Sequence, residues 1–477
     1  MRRKKKELPI IEDVEICDAG AEGKAIAKID GMVVFVPYVV PGDIVDLQLL
    51  KKRKKYADGK AIAIKHYSDR RVEARCPHFG VCGGCKWQTT RYADQTAFKE
   101  KQVRDNLERL GQIDCSGMRP ICGSDDIFYY RNKLEYTFST KEWKADPTSA
   151  AEGLEPEWGA LGFHAPTVFD KVIHIDHCAL QPDPSNAIRL ALRQYAIEHD
   201  LPCYDIRNHT GFLRNIIIRN STTGQWMVVV VVAEQRDEWL FPMLDFLHER
   251  FPQITSLQYI INTKFNDSYT DLDVVCYRGI DHIEERMEGY AGRPALTFNI
   301  NPKSFYQTNS KQAQRLYSFV ADFADLRGDE TVYDLYTGTG TIALFLSSMC
   351  RKVVGIEYVE EAIADARQNA VANGVDNSVF YAGDMAKVLT PEFIEQNGRP
   401  DVVITDPPRA GMHESVVRQL METRPRKIVY VSCNPATQAR DLQLLSPLYK
   451  VARIQPVDMF PHTQHVENVA ELILMQE

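Results

Sequence analysis

The sequence predicts an α/β chain in three parts: a small β-barrel over residues 1–70, a central α+β region over 71–300, and a doubly wound sheet over 301–477. Three observations predict it. Short apolar runs cut by glycines fill Val14 to His66: AIAKIDG, MVVFVPYVV, PGDIVDLQLL and GKAIAIKHY. Many short strands with turn signals suit a closed or nearly closed barrel. Next, a helical stretch from Tyr92 to Leu110 is followed, from Tyr129 to about Thr297, by mainly strand-like runs with an amphipathic helix near SNAIRLALRQYAIEH. After Asn309, strands alternate with helical patterns, as in doubly wound sheets, whose ligands sit beyond the carboxyl ends of the strands.

Composition narrows the class. A chain of 477 residues, 44% of them hydrophobic, can fill several cores. No apolar run approaches the roughly 18 residues of a membrane span. The basic start MRRKKKELP leads into acidic, polar sequence instead of an apolar signal stretch, so a cytoplasmic protein with no membrane partner is expected. A monomer is expected too. Eleven cysteines, an odd number scattered along the chain, argue against a disulfide framework. The net charge is -8, yet residues 1–75 carry 17 Lys plus Arg against 12 Asp plus Glu. Two runs dominate that excess. RRKKK at 2–6 reads equally as a solvated tail or a binding arm, whereas KKRKK at 51–55 lies among strands and reads as a binding face.

The segment RVEARCPHFGVCGGCKWQ places Cys76, Cys82 and Cys85 within ten residues among glycines. Three thiols invite a fourth, and Cys178 in HIDHCALQP, beside Pro182 and Pro184, is preferred over Cys115 and Cys122. Spacing leaves three readings open: an iron-sulfur cluster, a zinc tetrahedron, or three unligated cysteines. In the central region basic and amide side chains alternate with aromatics, at Arg131, Asn132, Lys133 and Tyr136 and again at Arg214 and Asn215. That pattern suits phosphate contact with base stacking, or an ordinary strand with one wet face. The polar stretch from Lys141 to Trp158 reads as an inserted loop.

In the C-terminal part, TVYDLYTGTGTIALFLSSMC reads as strand, glycine loop and helix, and KVVGIEYVEEAIADARQNAVANG as a second strand and helix. The loop satisfies G-x-G-x-x-A, so an NAD-type domain is the first rival. An acid, Glu357, ends the second strand, where either kind of nucleotide cofactor would offer a ribose diol. TDPPRAG separates the two. Two prolines fix the backbone after Asp406 and hold one carboxylate at the sheet edge, which a hydride-transfer site has no evident need of. In KIVYVSCNP, Cys433 follows a buried strand, and Asn434-Pro435 is expected to stop the strand in a loop. A buried cysteine packs as a small hydrophobe, and that is the competing reading.

DLYTGTG, DPPRAG, YVSCNP and PHTQHVEN, in that order and with SFYQTN upstream, resemble the RNA uracil-C5 methyltransferase family, which makes 5-methyluridine from S-adenosylmethionine. The barrel resembles the OB-like module called TRAM, and barrel plus cysteine triplet resemble the family's 23S ribosomal RNA branch. The resemblance covers nearly the whole chain. It implies a Rossmann-like S-adenosylmethionine-dependent catalytic domain, with Cys433 the nucleophile and Glu467 the general base. Gln307, Tyr336, Thr341, Glu357, Asp384 and Asp406 would contact the cofactor, Asp406 also meeting the uracil edge. Cys76, Cys82, Cys85 and Cys178 would hold a [4Fe-4S] cluster. Phe305 and Tyr306 would stack on bases or pack in the core, and His462 and His465 stay open between neighbours of the base and structural residues. A transfer RNA substrate is the same-chemistry alternative, and an inactive cluster-bearing RNA-binding protein the alternative from another class. Thr337 and Thr341 stand where many members have Cys and Asn.

Overall fold

The computed structural model describes residues 8–144, 158–166 and 168–476. The RRKKK run and most of the Lys141 to Trp158 stretch therefore lie outside the described residues. The chain forms two compact units, one of residues 1–101 with 460–465 and the other of residues 102–459 with 466–477.

In the first unit the strands Ile10–Ala19, Ala25–Ile29, Met32–Val36, Tyr56–His66 and Ile44–Lys52 close into a barrel in that order. Period-two alternation turns Val34, Val36, Val45 and Leu47 inward, and all four are fully buried. Asp43, also fully buried, fastens the barrel's end. Its carboxylate accepts the backbone N–H groups of Val40 (2.7 Å) and Ser68 (3.0 Å) and pairs twice with Arg71, at 2.8 and 2.7 Å. The exposed basic run Lys51–Lys55 ends the strand Ile44–Lys52 and forms the turn into Tyr56–His66.

The second unit holds two seven-stranded sheets. In the central one the order is Val275–Gly279, Ile254–Ile261, Trp226–Val232, Leu213–Asn220, Lys133–Ser139, Ala160–His164, Val172–His174. Its one parallel pair joins Trp226–Val232 to Ile254–Ile261. The unbroken apolar run WMVVVVV is buried at every position, as suits an interior strand. A helix at Asp237–Arg250 joins the one expected at Ser185–Glu198, and Pro242 inside it masks its pattern in the sequence.

The other sheet carries the candidate site, and its strands are labelled β1 (Thr331–Leu335), β2 (Lys352–Glu357), β3 (Ser378–Ala382), β4 (Val402–Thr405), β5 (Lys427–Ser432), β6 (Tyr449–Val457) and β7 (Glu467–Leu474). They run in the order β3-β2-β1-β4-β5-β7-β6, parallel except for β7, which is antiparallel to both neighbours. The order reverses between β1 and β4, so a crevice opens where the loops after these strands diverge. The helix before β1 ends at Ala324, three residues short of the run's Gly328, because Asp325 adopts φ 48° and its N–H closes on Ala321 O.

Candidate active site

The loop after β1 is shaped by its own backbone. Tyr336 (φ 66°), Gly338 (φ 56°) and Gly340 (φ 79°) all take left-handed conformations, and a side chain on Gly340 would press on Ala366 and Phe380. Asp334 holds the turn from inside: one carboxylate oxygen accepts Thr337 Oγ1 at 2.5 Å and Ala343 N–H at 3.1 Å. Its other oxygen is buried without a hydrogen-bond partner. Burial, only partly offset by these two bonds, pushes the Asp334 carboxyl up to about 7.

Five of the six residues expected at a cofactor stand at the carboxyl ends of β1 to β4 or in the segments just after them, and the sixth, Gln307, precedes the helix Ser310–Ala324. Glu357, the last residue of β2, accepts Gly338 N–H (3.2 Å) on one carboxylate oxygen and Val359 N–H (3.0 Å) on the other. Asp384, just past β3, caps a short helix by accepting Ala386 N–H at 3.0 Å. Tyr336 is half-buried and coupled electrostatically to both acids. Thr341 starts the helix after the glycine loop, with its hydroxyl 3.3 Å from Tyr317 OH. Gln307 is half-buried, and its carbonyl accepts Asn132 Nδ2 at 2.8 Å. Asp406 follows β4, with its N–H on Leu335 O at 3.3 Å. In SFYQTN, Tyr306 is buried in the core while Phe305 is 69% exposed, and Phe305 O accepts Thr339 Oγ1 at 3.4 Å.

Cys433 stands one residue beyond β5 and is half-buried. Here the expected loop is a helix: Asn434 accepts Ala436 N–H at 3.2 Å as N-cap, and Pro435 opens the helix Pro435–Leu445. Proline fits there because the first helical N–H has no intrahelical partner to lose. Asn434 also ties this turn to the TDPPRAG loop, since its Nδ2 donates to Arg409 O at 3.0 Å and Thr437 Oγ1 donates to the same oxygen at 3.2 Å.

Glu467 opens β7, and Ser432 pairs with Asn468 across the antiparallel ladder. Cys433 and Glu467 are thus the next residues out on adjacent strands. Gln438 pins that register, donating to Tyr430 O (3.0 Å) and Asn468 O (3.3 Å) and accepting Asn468 Nδ2 at 2.7 Å. Burial and then the neighbouring Asp406 raise the Glu467 carboxyl well above the usual range, against the opposing charge of Arg409. Asp406 is pushed up to about 7 by burial and by Asp334. Burial, then the carboxylates of Glu467 and Asp406, push the Cys433 thiol up to about 11, opposed by the charge and hydrogen bond of Arg409. The arrangement therefore raises the proton affinity of both carboxyls and of the thiol, with one guanidinium set against the sulfur. The Arg409 contact to the thiol is not visible in the sequence, where Arg409, following Asp-Pro-Pro, reads as a residue that could meet phosphate.

The cysteine triplet belongs to the first unit. Gln88 brackets it, accepting Cys76 N–H at 3.0 Å and donating to Cys85 Sγ at 3.2 Å. Gly80 (φ 86°) and Gly83 (φ 78°) turn the loop, and burial raises the Cys76 and Cys82 thiols. Three thiols on one glycine-bearing loop are a donor set of the right chemistry for a soft metal centre. Among the described residues, however, no group of three or more His, Cys, Asp or Glu is arranged to hold a metal ion. Cys178 lies in the second unit, buried, with its N–H on Asn186 Oδ1 at 2.8 Å. His462 lies in the first unit, its backbone carbonyl accepting the N–H groups of Lys86 (2.8 Å) and Trp87 (3.1 Å). His465 is half-buried in the same unit. In the central sheet Tyr136, Arg214 and Asn215 are buried, so they form no wet face. Arg214 instead anchors a loop, donating to the carbonyls of Asn262, Lys264 and Asn266.

A thiol of pKa about 11 is almost wholly protonated near neutral pH, and iodoacetamide reacts with the thiolate. Alkylation of Cys433, followed by peptide mass spectrometry at about pH 8, is therefore expected to be slow and to speed up as the pH rises. Glu467→Gln removes a negative neighbour and is expected to accelerate it, whereas Arg409→Met is expected to slow it. Unchanged rates in both variants would contradict this electrostatic picture.

Comparison with known proteins agrees over the whole chain. The family model tRNA (uracil-5-)-methyltransferase matches residues 277–475, and the TRAM domain model matches residues 11–62. An uncharacterized RNA methyltransferase of Bacteroides thetaiotaomicron is 55% identical over 457 residues, 95% of this chain and 99% of its own. Another, from Chlorobaculum tepidum, is 37% identical over 467 residues, 96% of this chain and 95% of its own. Among solved structures, the Pyrococcus abyssi tRNA (uracil-54, C5)-methyltransferase in complex with S-adenosyl-L-homocysteine is similar at a TM-score of 0.74 and 27% identity, covering 97% of this chain and 100% of that one. The chain belongs to the family of S-adenosylmethionine-dependent RNA uracil-C5 methyltransferases.

Proposed function

We propose that this protein methylates carbon 5 of a uridine in 23S ribosomal RNA through a covalent adduct on Cys433. The observation that carries the reading is the β5–β7 register, which sets Cys433 and Glu467 side by side with Asp406 and Arg409 close enough to act on their charges. S-adenosylmethionine supplies a methyl group on a sulfonium, and Gln307, Tyr336, Thr341, Glu357, Asp384 and Asp406 would hold it. The acidic side chains of Glu357 and Asp384 at the strand ends suit a polar, cationic guest.

Carbon 5 of uracil is a weak nucleophile. Cys433 Sγ adds to carbon 6 as its proton leaves to solvent, and the ring electrons move onto the carbon 4 oxygen as an enolate. Arg409, hydrogen-bonded to the thiol, favours the thiolate that attacks. Carbon 5 of the enolate would then take the methyl group, the methyl–sulfur bond of the sulfonium breaking to leave a neutral thioether. Glu467, in its ionised form, removes the remaining proton from carbon 5. Its raised proton affinity makes it a better acceptor than a solvated carboxylate. Expulsion of Cys433 restores the ring double bond, and the sulfur recovers a proton. Asp406 would meet the uracil edge.

The barrel with its exposed Lys51–Lys55 turn, beside a cysteine triplet, supports the ribosomal RNA branch. The likeness to an archaeal tRNA (uracil-54) enzyme supports transfer RNA as a second substrate reading. Residues 1–70, 71–300 and 301–477 would then serve RNA capture, RNA shaping and methyl transfer, in a monomeric cytoplasmic enzyme.

Labelled S-adenosylmethionine incubated separately with 23S and transfer RNA is expected to label a uridine in the former. Cys433→Ala should abolish labelling while binding cofactor normally, and Glu467→Gln should cut turnover by about 10²- to 10⁴-fold and accumulate a protein–RNA adduct. Labelling of transfer RNA alone would overturn the substrate, and labelling of neither would leave an inactive RNA-binding protein. For Cys76, Cys82, Cys85 and Cys178 we propose a structural [4Fe-4S] cluster, since methyl transfer needs no electron. Anaerobically purified protein is expected to be brown, with sulfur-to-iron absorption that disappears in Cys82→Ser; colourless protein with stoichiometric zinc would overturn it.

A further inference from the structure

On the central sheet Lys133 and Arg219 occupy directly opposed positions on antiparallel neighbours. Like charges in that register repel and destabilise a sheet. Arg219 is buried, and Lys133 is half-buried. Among the described residues neither forms an ion pair with a carboxylate. Glu135, the nearest acid in sequence, takes its hydrogen bond from Tyr269 OH at 3.1 Å, and that hydroxyl accepts a long bond, 3.5 Å, from Lys133 Nζ. Arg219 spends its guanidinium on two carbonyls, Asn301 O at 2.9 Å and Ser304 O at 2.7 Å. Desolvation and then Arg219's own charge depress Lys133 to about 8 against the opposing charge of Glu135, and desolvation depresses Arg219 to about 10. Two adjacent, poorly solvated cations that face one carboxyl, Glu135, and form no ion pair with it leave an excess of positive charge, and a mobile anion that arrives with the substrate would relieve the cost.

Their position says which anion. The carbonyls held by Arg219 belong to the loop that leads into Phe305 and Gln307, and this loop reaches the glycine loop through Thr339 and Phe305 O. We propose that Lys133 seats a backbone phosphate of the RNA close to the reacting nucleotide, with Arg219 beneath it reinforcing the positive field and fixing the loop. Lys133 is the phosphate ligand and Arg219 the positioning residue. The proposal rests on the RNA-methylation reading above and adds a place on the central sheet where the strand is gripped.

The test measures binding rather than methylation, so the two readings fail separately. Full-length protein is titrated into fluorescein-labelled oligouridylate by anisotropy, from about 50 to about 200 mM salt, since each phosphate contact on a single strand adds about 0.7 to the slope of log affinity against log salt. Lys133→Met is expected to lower that slope by about 0.7 and weaken binding several-fold, Lys133→Arg to keep both, and S-adenosylmethionine binding to stay unchanged in each. A wild-type slope in Lys133→Met overturns the site. So does inorganic phosphate competing as strongly as the RNA, which would mark a general anion site. A shifted slope in a protein that methylates no uridine would overturn the function and leave the phosphate seat standing.

Discussion

The candidate site depends on one pairing register, the antiparallel ladder in which Ser432 lies opposite Asn468. The sheet is otherwise built from parallel strands whose carboxyl ends share one edge. β7 enters in the reverse direction, so its first residue reaches the edge where β5 ends. Because the side-chain period of a strand is two, a slip of one residue would turn Glu467 to the opposite face. Such a slip would also break the reciprocal Gln438–Asn468 bonds, which exist only when the two residues meet.

The electrostatic consequences follow from that geometry. Asp334, Asp406 and Glu467 are all raised, mainly by burial, and Asp334 and Asp406 in turn raise Asp406 and Glu467. A carboxyl raised in the folded state weakens the fold as pH climbs. Below about 4 the group is protonated in both states. Between about 4 and 7 only the unfolded chain gives up its proton, so stability falls over that window. Among the described residues, Arg409 is the cation whose charge opposes the shifts of Glu467 and Cys433. The fold thus carries a cost at this edge that a cationic guest would offset, as expected where binding matters more than stability.

Much of this was legible in the sequence, and unevenly so. The barrel and the alternating C-terminal elements show in local periodicity, and strand ends marked by Gly, Asp-Pro-Pro and Cys-Asn-Pro are where an α/β sheet presents side chains. What local pattern does not carry is partner and burial. Asn434-Pro435 looks like a break but is a helix start, because an N-cap and a strand stop use the same residue types. Arg214 and Tyr136 look like a wet face, yet only tertiary packing shows that they are buried. Lys133, in the same pattern, is half-buried and forms no ion pair among the described residues. The tie between Arg409 O and Asn434 joins residues 25 apart in sequence and is set by the β4–β5 neighbourhood.

The central claim, that Glu467 removes the proton from carbon 5 after Cys433 has added to carbon 6, is tested most directly with RNA tritiated at carbon 5 of uridine. The wild-type protein is predicted to release one tritium to water for each methyl group transferred, and the Glu467→Gln protein to transfer the methyl group while retaining the tritium in a protein-bound RNA. Tritium release at the wild-type rate from the Glu467→Gln protein would contradict the account.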